Sequence, residues 1–493
     1  MHLSKASLVP GLLLVGHSLA IDLDLNDTQS INDAAKTIAE SVVSRYSSNG
    51  TNTTGLFGQP CYFWESGLAW DTLIHYWHQT GDDSYNDIIG QALRSQLGDS
   101  RDFAPADQAE TLGNDDQTTW ALAAMTAAEY GFPSDALSGL DTTWEEISTN
   151  VFDAQAARWD EGSCNGGLRW QIFAFNAGYD YKNSRSNSNF YQLAARLARF
   201  TGNDTYSDWA ERVFMWSIEV GLIADINSTT PGAVYDGSST SDNCSDINNI
   251  QWTADIASYL AGEVYIWNHT QTAGNRGWIA TVGALNATFA NPEHGAVTNG
   301  TLTEVACAPR GNCNTDQLAY RAILGRSLAQ TLALTDDQNT FSYDRPVNIS
   351  NPANVSDAGR VPAWSMHERI DFLLRESAMG AAMQCSGGES GTTCGNTWGN
   401  STWDGSEGLG QDLSALNIIL ANIPVGEMAT VNSSAANAGS SSGGANGTAG
   451  NGGSAGDEGS EAAEGEASTG AAGRVAVSTL GMLAVLGSLM VFL

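Results

Sequence analysis

Apolar residues recur at three- and four-residue spacing over most of the chain, the pattern of helices that bury one face. It runs through INDAAKTIAESVVSRY (31–46), FWESGLAWDTLIHYWHQT (63–80), YNDIIGQALRSQL (85–97), TTWALAAMTAAEY (118–130), WEEISTNVFDAQAARW (144–159) and NFYQLAARLARF (189–200). It continues through YSDWAERVFMWSIEVGLI (206–223), WTADIASYLAGEVYIWNH (252–269), WIATVGALNATF (278–289), DQLAYRAILGRSLAQTLAL (316–334), HERIDFLLRESAMGAAM (367–383) and DLSALNIILANI (412–423). About twelve helices are predicted, and alternating strand patterns are scarce. TGDDSYNDI (80–88) and TGNDTYSDW (201–209) form a weak internal repeat, each between one helix and the next, as a helix-hairpin repeat produces. Hairpin pairs in this number suggest an all-α fold closed into an (α/α)6 barrel, with alternate helices lining a central cavity. An open solenoid of hairpins is the competing architecture.

The pattern breaks at both ends. Residues 1–20 carry Lys5, an apolar run from Leu8 to Val15, and a small-x-small site at Ser18-Leu19-Ala20, which read as a secretory signal peptide. From 429 to 474 the composition collapses to Ser, Gly, Ala, Asn and Glu, a stalk with nothing to form a core. Residues 475–493 are apolar to the last position, after small residues between Gly459 and Ser468. This is the pattern of a glycosylphosphatidylinositol (GPI) signal, the alternative being a single-span tail anchor. The expectation is one catalytic domain over residues 21–428, secreted and held at the outer face of the plasma membrane and cell wall. Asn-x-Ser/Thr sequons, from Asn26 to Asn446, agree with that compartment.

With 21 basic residues and a formal charge of -34 the chain is a poor partner for nucleic acid or an anionic lipid surface, and a neutral glycan fits better. Membrane contact is expected only through the GPI anchor. Seven cysteines permit three bridges. Cys307/Cys313 and Cys385/Cys394 look like local staples and Cys164/Cys244 is the third expected pair, leaving Cys61 as a buried free thiol in a helical stretch. His75 and His78 lie three apart without a third ligand nearby, so no metal and no cofactor are expected.

What the sequence offers for chemistry is acids and aromatics. LGNDDQTTW places Asp115 and Asp116 where a turn becomes a helix. One acid there is a helix cap; two are a candidate carboxylate pair for cleaving a glycosidic bond. Neighbours on a chain have Cα atoms about 3.8 Å apart, so their carboxyl groups suit the separation of about 5–5.5 Å found in retaining glycosidases better than the wider gap of inverting ones. Tryptophans beside polar residues are candidates for stacking on sugar rings: Trp64 with Glu65, Trp120 close after the acid pair, Trp170 with Asn165 and Gln171, and Trp252 with Asp255. For any one of them core packing is the competing explanation.

YFWESGLAWDTLIHYWHQTGDDSYN, LGNDDQTTWALAAMTAAEYGFP and CNGGLRWQI resemble glycoside hydrolase family 76, the endo-1,6-α-mannanases, and in particular its GPI-anchored fungal cell-wall branch. The resemblance runs over nearly all of residues 30–425. It implies an (α/α)6 barrel and a retaining mechanism on α-1,6-linked mannosides, with Asp115 as nucleophile and Asp116 as general acid/base. It also implies Trp64, Glu65, Asn165, Trp170 and Gln171 in or near the sugar cleft. For that branch the implied role is a transglycosidase, which cleaves the mannose-containing core glycan of a GPI-anchored donor and passes the protein to a β-glucan acceptor. A plain endo-1,6-α-mannan hydrolase and a non-catalytic wall glycan-binding protein are the alternatives.

Overall fold

The computed structural model describes residues 20–48, 53–224, 228, 230, 232–270, 296–335, 366–426 and 428. All of them belong to one compact unit, Met1–Ser440. The predicted helix at 278–289, the stalk, the apolar tail and all but the last residue of the signal segment lie outside the described residues.

Eleven helices are present among the described residues: α1 (Thr28–Ser48), α2 (Phe63–Thr80), α3 (Asn86–Ser95), α4 (Asn114–Tyr130), α5 (Trp144–Ala156), α6 (Ser184–Thr201), α7 (Asp204–Glu219), α8 (Thr253–Thr270), α9 (Thr315–Leu334), α10 (Met366–Gln384) and α11 (Leu409–Leu420). Their starts follow local chemistry. Thr143 caps α5 by accepting the Glu146 amide, Asn183 caps α6, Asn203 caps α7 and Asn314 caps α9. In both copies of the T-G-x-D repeat the glycine, Gly81 or Gly202, takes the left-handed conformation that ends a helix, and an outer helix follows.

Helix packing closes a ring: α2 rests on α4, α4 on α6, α6 on α8, α8 on α9, α9 on α11, and α11 on α2. The last contact excludes the open solenoid. The others lie outside, with α1 against α11 and α2, α3 against α2, α5 against α4 and α6, α7 against α6 and α8, and α10 against α11 and α9. This is the (α/α)6 architecture. Several ring helices are buried nearly all round; every residue of α11 and 14 of the 17 in α4 are buried.

Far from the helix starts, the interior is closed by buried polar pairs rather than left open. Arg326 meets Asp71, the Arg196 guanidinium binds Glu129 at 2.8 Å, and the Tyr265 hydroxyl donates to Glu129 at 3.1 Å. His75 shares a hydrogen bond with the Tyr130 hydroxyl, and the His78 ring lies flat on that of Tyr130 with centroids 3.9 Å apart. The opposite end carries a three-stranded antiparallel sheet, β1 (Tyr181–Asn183), β2 (Gly237–Ser239) and β3 (Ile247–Asn248), with Tyr181 opposite Ser239 and Gly237 opposite Asn248.

The three expected disulfides, Cys164–Cys244, Cys307–Cys313 and Cys385–Cys394, are all formed. Cys61 is free as expected but is differently placed: it precedes α2, is only half-buried, and its thiol is pushed up to about 12, chiefly by desolvation.

Candidate active site

The N-terminal turns of five ring helices, α2, α4, α6, α8 and α9, converge around a cleft of about 860 Å³. Asp115 and Asp116 open α4, Arg185 opens α6, Asp255 opens α8 and Asp316 opens α9, and all line the cleft. Converging helix starts present partial positive charge, which offsets some of the cost of gathering acids there. Arg185 is the one basic side chain among the lining residues.

The start of α4 is fixed by a strand-like pairing with the segment around Trp170. The Asn114 amide donates to the Trp170 carbonyl at 2.8 Å, Gly113 bridges Gln171, and the Ile172 amide donates to the Leu112 carbonyl at 3.2 Å. Asp116 Oδ2 accepts the Gly113 amide at 2.7 Å, so one acid does cap the helix. Asp115 Oδ1 has no hydrogen-bond partner among the described residues. Both carboxyl groups crowd Gly113. A Cβ on that glycine would lie 2.2 Å from Asp115 Oδ1 and 2.9 Å from Asp116 Oδ2, which holds those two oxygens within about 5.1 Å of each other. This upper limit lies below the wider gap of inverting enzymes and is compatible with the short spacing of retaining ones.

The environment separates the two acids electrostatically. Burial raises Asp115 to about 6, against the pull of Arg185, the helix-start amides and the Asn183 side chain. Asp116 is held well above the ordinary carboxylate range, first by burial and then by the charge of Asp115. Above about pH 6, and until Asp116 loses its proton, the pair therefore holds one charge and one proton.

An aromatic wall faces the acids. Trp64 and Trp252 flank Tyr320, with ring centroids 5.9 and 5.7 Å from it. The Trp64 indole donates to Asp316 at 2.7 Å and the Trp252 indole to Asp236 at 2.8 Å, which fixes both ring planes. Asp236 also accepts from the Tyr181 hydroxyl at 2.5 Å and from Asn248 at 2.9 Å. Arg185 stands 5.6 Å from the Trp64 ring centroid and is steadied by Ser258 Oγ at 3.1 Å.

The profile of the glycosyl hydrolase family 76 matches residues 30–347 and 358–434. The chain belongs to that family. It is 39% identical over 423 residues to mannan endo-1,6-alpha-mannosidase DCW1 of Saccharomyces cerevisiae, covering 86% of this chain and 85% of that one. It is 33% identical over 421 residues to mannan endo-1,6-alpha-mannosidase DFG5 of Candida albicans, covering 84% of each. The crystal structure of Dfg5 from Chaetomium thermophilum in complex with glucosamine superposes with a TM-score of 0.70 at 32% identity, over 83% of this chain and 94% of that one. An alpha-1,6-mannanase of Salegentibacter sp. HEL1_6, in an inactive form with two adjacent aspartates changed to asparagine and bound to alpha-1,6-mannotriose, has the same fold. Its TM-score is 0.60 at 16% identity, over 80% of this chain and all of that one.

In this family 76 glycoside hydrolase the structure gathers Asp115, Asp116, Trp64, Trp170, Gln171, Trp252 and Asp255 around the cleft. Three other candidates point elsewhere. Glu65 is fully buried and turns back to accept the Tyr62 amide at 2.7 Å, closing its own helix start. Trp120 is fully buried, stacked on Phe63 with centroids 5.0 Å apart and donating to the Phe63 carbonyl, so it is core. Asn165 is exposed in a left-handed turn, and the two glycines after it let the backbone pass against Trp216 and Trp159 rather than a sugar. Sequence reasoning missed Arg185, Asn183, Asp236, Asp316 and Tyr320. Asn183 and Asp316 look like ordinary capping residues, and Asp236 lies in a loop without local pattern. The Arg185 signal was a lone cation opening a helix in an acid-rich chain.

Proposed function

We propose that this protein is a retaining glycosidase of α-1,6-linked mannosides in which Asp115 is the nucleophile and Asp116 the general acid/base. The observation that carries the reading is the convergence of both carboxyl groups on Gly113, at short spacing, with one held ionisable beside Arg185 and the other held protonated. Asp115 attacks the anomeric carbon as the bond to the leaving oxygen breaks and Asp116 gives that oxygen its proton. Asp116, now a carboxylate, takes a proton from the incoming hydroxyl, whose oxygen displaces Asp115 with net retention. Trp64, Trp170, Gln171, Trp252 and Asp255 hold the sugars, joined by Tyr320 and Arg185.

The names of the relatives, mannan endo-1,6-alpha-mannosidases, support this donor. The finer reading is transfer: the donor is the mannose-containing core glycan of a GPI-anchored protein, the acceptor is wall β-glucan, and the enzyme itself is secreted and GPI-anchored. In support are the terminal sequence patterns and the open cleft, which leaves room for an acceptor sugar beside the two acids.

The test is an incubation of an α-1,6-mannose-containing GPI-core glycan with the protein, with and without a β-glucan oligosaccharide, read by mass spectrometry. A glycan–glucan conjugate establishes transfer, and free cleaved glycan alone establishes hydrolysis. Asp115→Asn and Asp116→Asn are expected each to lower turnover by about 10³-fold or more; undiminished turnover in either would reject the assignment.

A further inference from the structure

Most of the apolar surface of this domain is hidden, yet large aromatic side chains are exposed where the cleft meets solvent. Tyr62 is 52% exposed, Trp170 37% and Phe175 72%. Tyr62 and Trp170 line the cleft, and Phe175 directly precedes Asn176 and Ala177, which line it too. Among the described residues only one other aromatic, Phe372 on α10, is comparably open.

Phe175 stands on a loop that is pinned rather than loose. The Trp170 amide donates to the Tyr181 carbonyl at 2.7 Å and closes the loop at its base. Within it a tight turn runs from the Phe173 carbonyl to the Asn176 amide, and Asn176 Nδ2 reaches Gln171 Oε1 at 3.0 Å and the Ala109 carbonyl at 3.2 Å. Gly178 adds a floor: a Cβ there would lie 2.4 Å from the Trp170 ring, so the ring rests on bare backbone. Phe173 and Phe175 stack nearly parallel, 10° between planes and 5.4 Å between centroids. Two flat rings held on a rigid loop at the rim of a sugar cleft are costly to leave in water. Their faces suit the apolar C–H face of a pyranose ring.

We infer that the Phe173–Phe175 pair is an outer sugar-binding subsite, which holds residues of the α-1,6-mannoside chain that extend past the cleft. This rests on the proposed mannosidase reading and adds a substrate-length requirement to it. A neutral chain is the occupant because the acids along the cleft, Glu110 among them, repel anions, whereas an uncharged chain leaving the cleft passes Trp170 and then reaches the pinned loop.

Phe175→Ala removes an exposed ring and leaves the loop's hydrogen bonds in place. The expected result is a fall of about tenfold, equal to about 1.4 kcal/mol, in kcat/KM for an α-1,6-mannohexaose, with no change for a mannobiose and recovery in Phe175→Trp. Titration of mannohexaose into Asp115→Asn protein, with and without Phe175→Ala, gives a readout that needs no turnover, and weaker binding in the double variant is expected. Equal effects on both substrate lengths, unchanged hexaose binding, or a loss confined to transfer onto a β-glucan oligosaccharide would each overturn the inference. Failure of the mannosidase reading shows separately, as undiminished turnover by Asp115→Asn.

Discussion

Gly113 carries a constraint that its backbone does not reveal. Its φ of -92° and ψ of 162° suit any residue, so glycine is there for space and not for conformation. Both acids fill the volume a side chain would take. Gly113→Ala is expected to fold normally, keep its KM and lose about 10²-fold in kcat, since displacing a reacting group by about 1 Å costs that much; parental kcat would show that the carboxyl groups are positioned by something else. Arg185 acts on the same pair through charge. In the proposed mechanism the ionised form of Asp115 is the nucleophile, so activity should rise as pH climbs through about 6 and fall again once Asp116 loses its proton. Arg185 lowers the pKa of Asp115, so Arg185→Gln should move the rising limb of the kcat/KM profile to higher pH. A limb that stays in place would separate Arg185 from Asp115.

At the scale of elements, what was legible and what was not have one physical origin. Helices could be read from the apolar period because each must bury a face, and α2 runs over Phe63–Thr80, the very span the pattern gave. Which side of a ring helix faces the cleft could not be read that way, because α4, α8 and α11 are buried on nearly every side. The cleft is assembled from first turns of separate helices, where an acid such as Asp316 is indistinguishable from a cap. Trp64 and Trp120 have similar polar neighbours in sequence; only the ring geometry sends one to the wall and the other to the core. The small residues at helix crossings follow from that geometry. A Cβ on Gly262 of α8 would lie 2.3 Å from the Tyr191 ring of α6. Gly262→Ala should therefore force these helices apart and destabilise the fold by about 1–3 kcal/mol, measured as a lower urea midpoint at unchanged slope; an unchanged midpoint would mean that the α6–α8 contact yields freely.

For the whole molecule, closing a ring around so many acids makes stability depend on pH in a direction that can be worked out. Burial raises Glu65 to about 8, and Glu263 and Glu304 each to about 7. Asp116 and Asp255 are held well above the ordinary range for the same reason. In the unfolded chain these groups ionise near about 4. Between that value and their folded pKa the native state binds protons that the unfolded state has released, so stability is full at low pH and falls as pH rises, by about 1.4 kcal/mol per unit for each such group. His75 and His78 are pushed down by burial and act in the opposite sense, but only below the ordinary histidine value of about 6.5. From pH 6.5 to 8 the acids act alone among these groups, and self-repulsion of a chain with formal charge -34 adds to them. The Tm measured by calorimetry at fixed ionic strength should decline across that window. Glu263→Gln, which still accepts from the Tyr191 hydroxyl, should flatten the lower half of the decline, because the amide has no proton to lose. A Tm that does not fall between those pH values would mean that the buried carboxyl groups are already ionised in the folded protein.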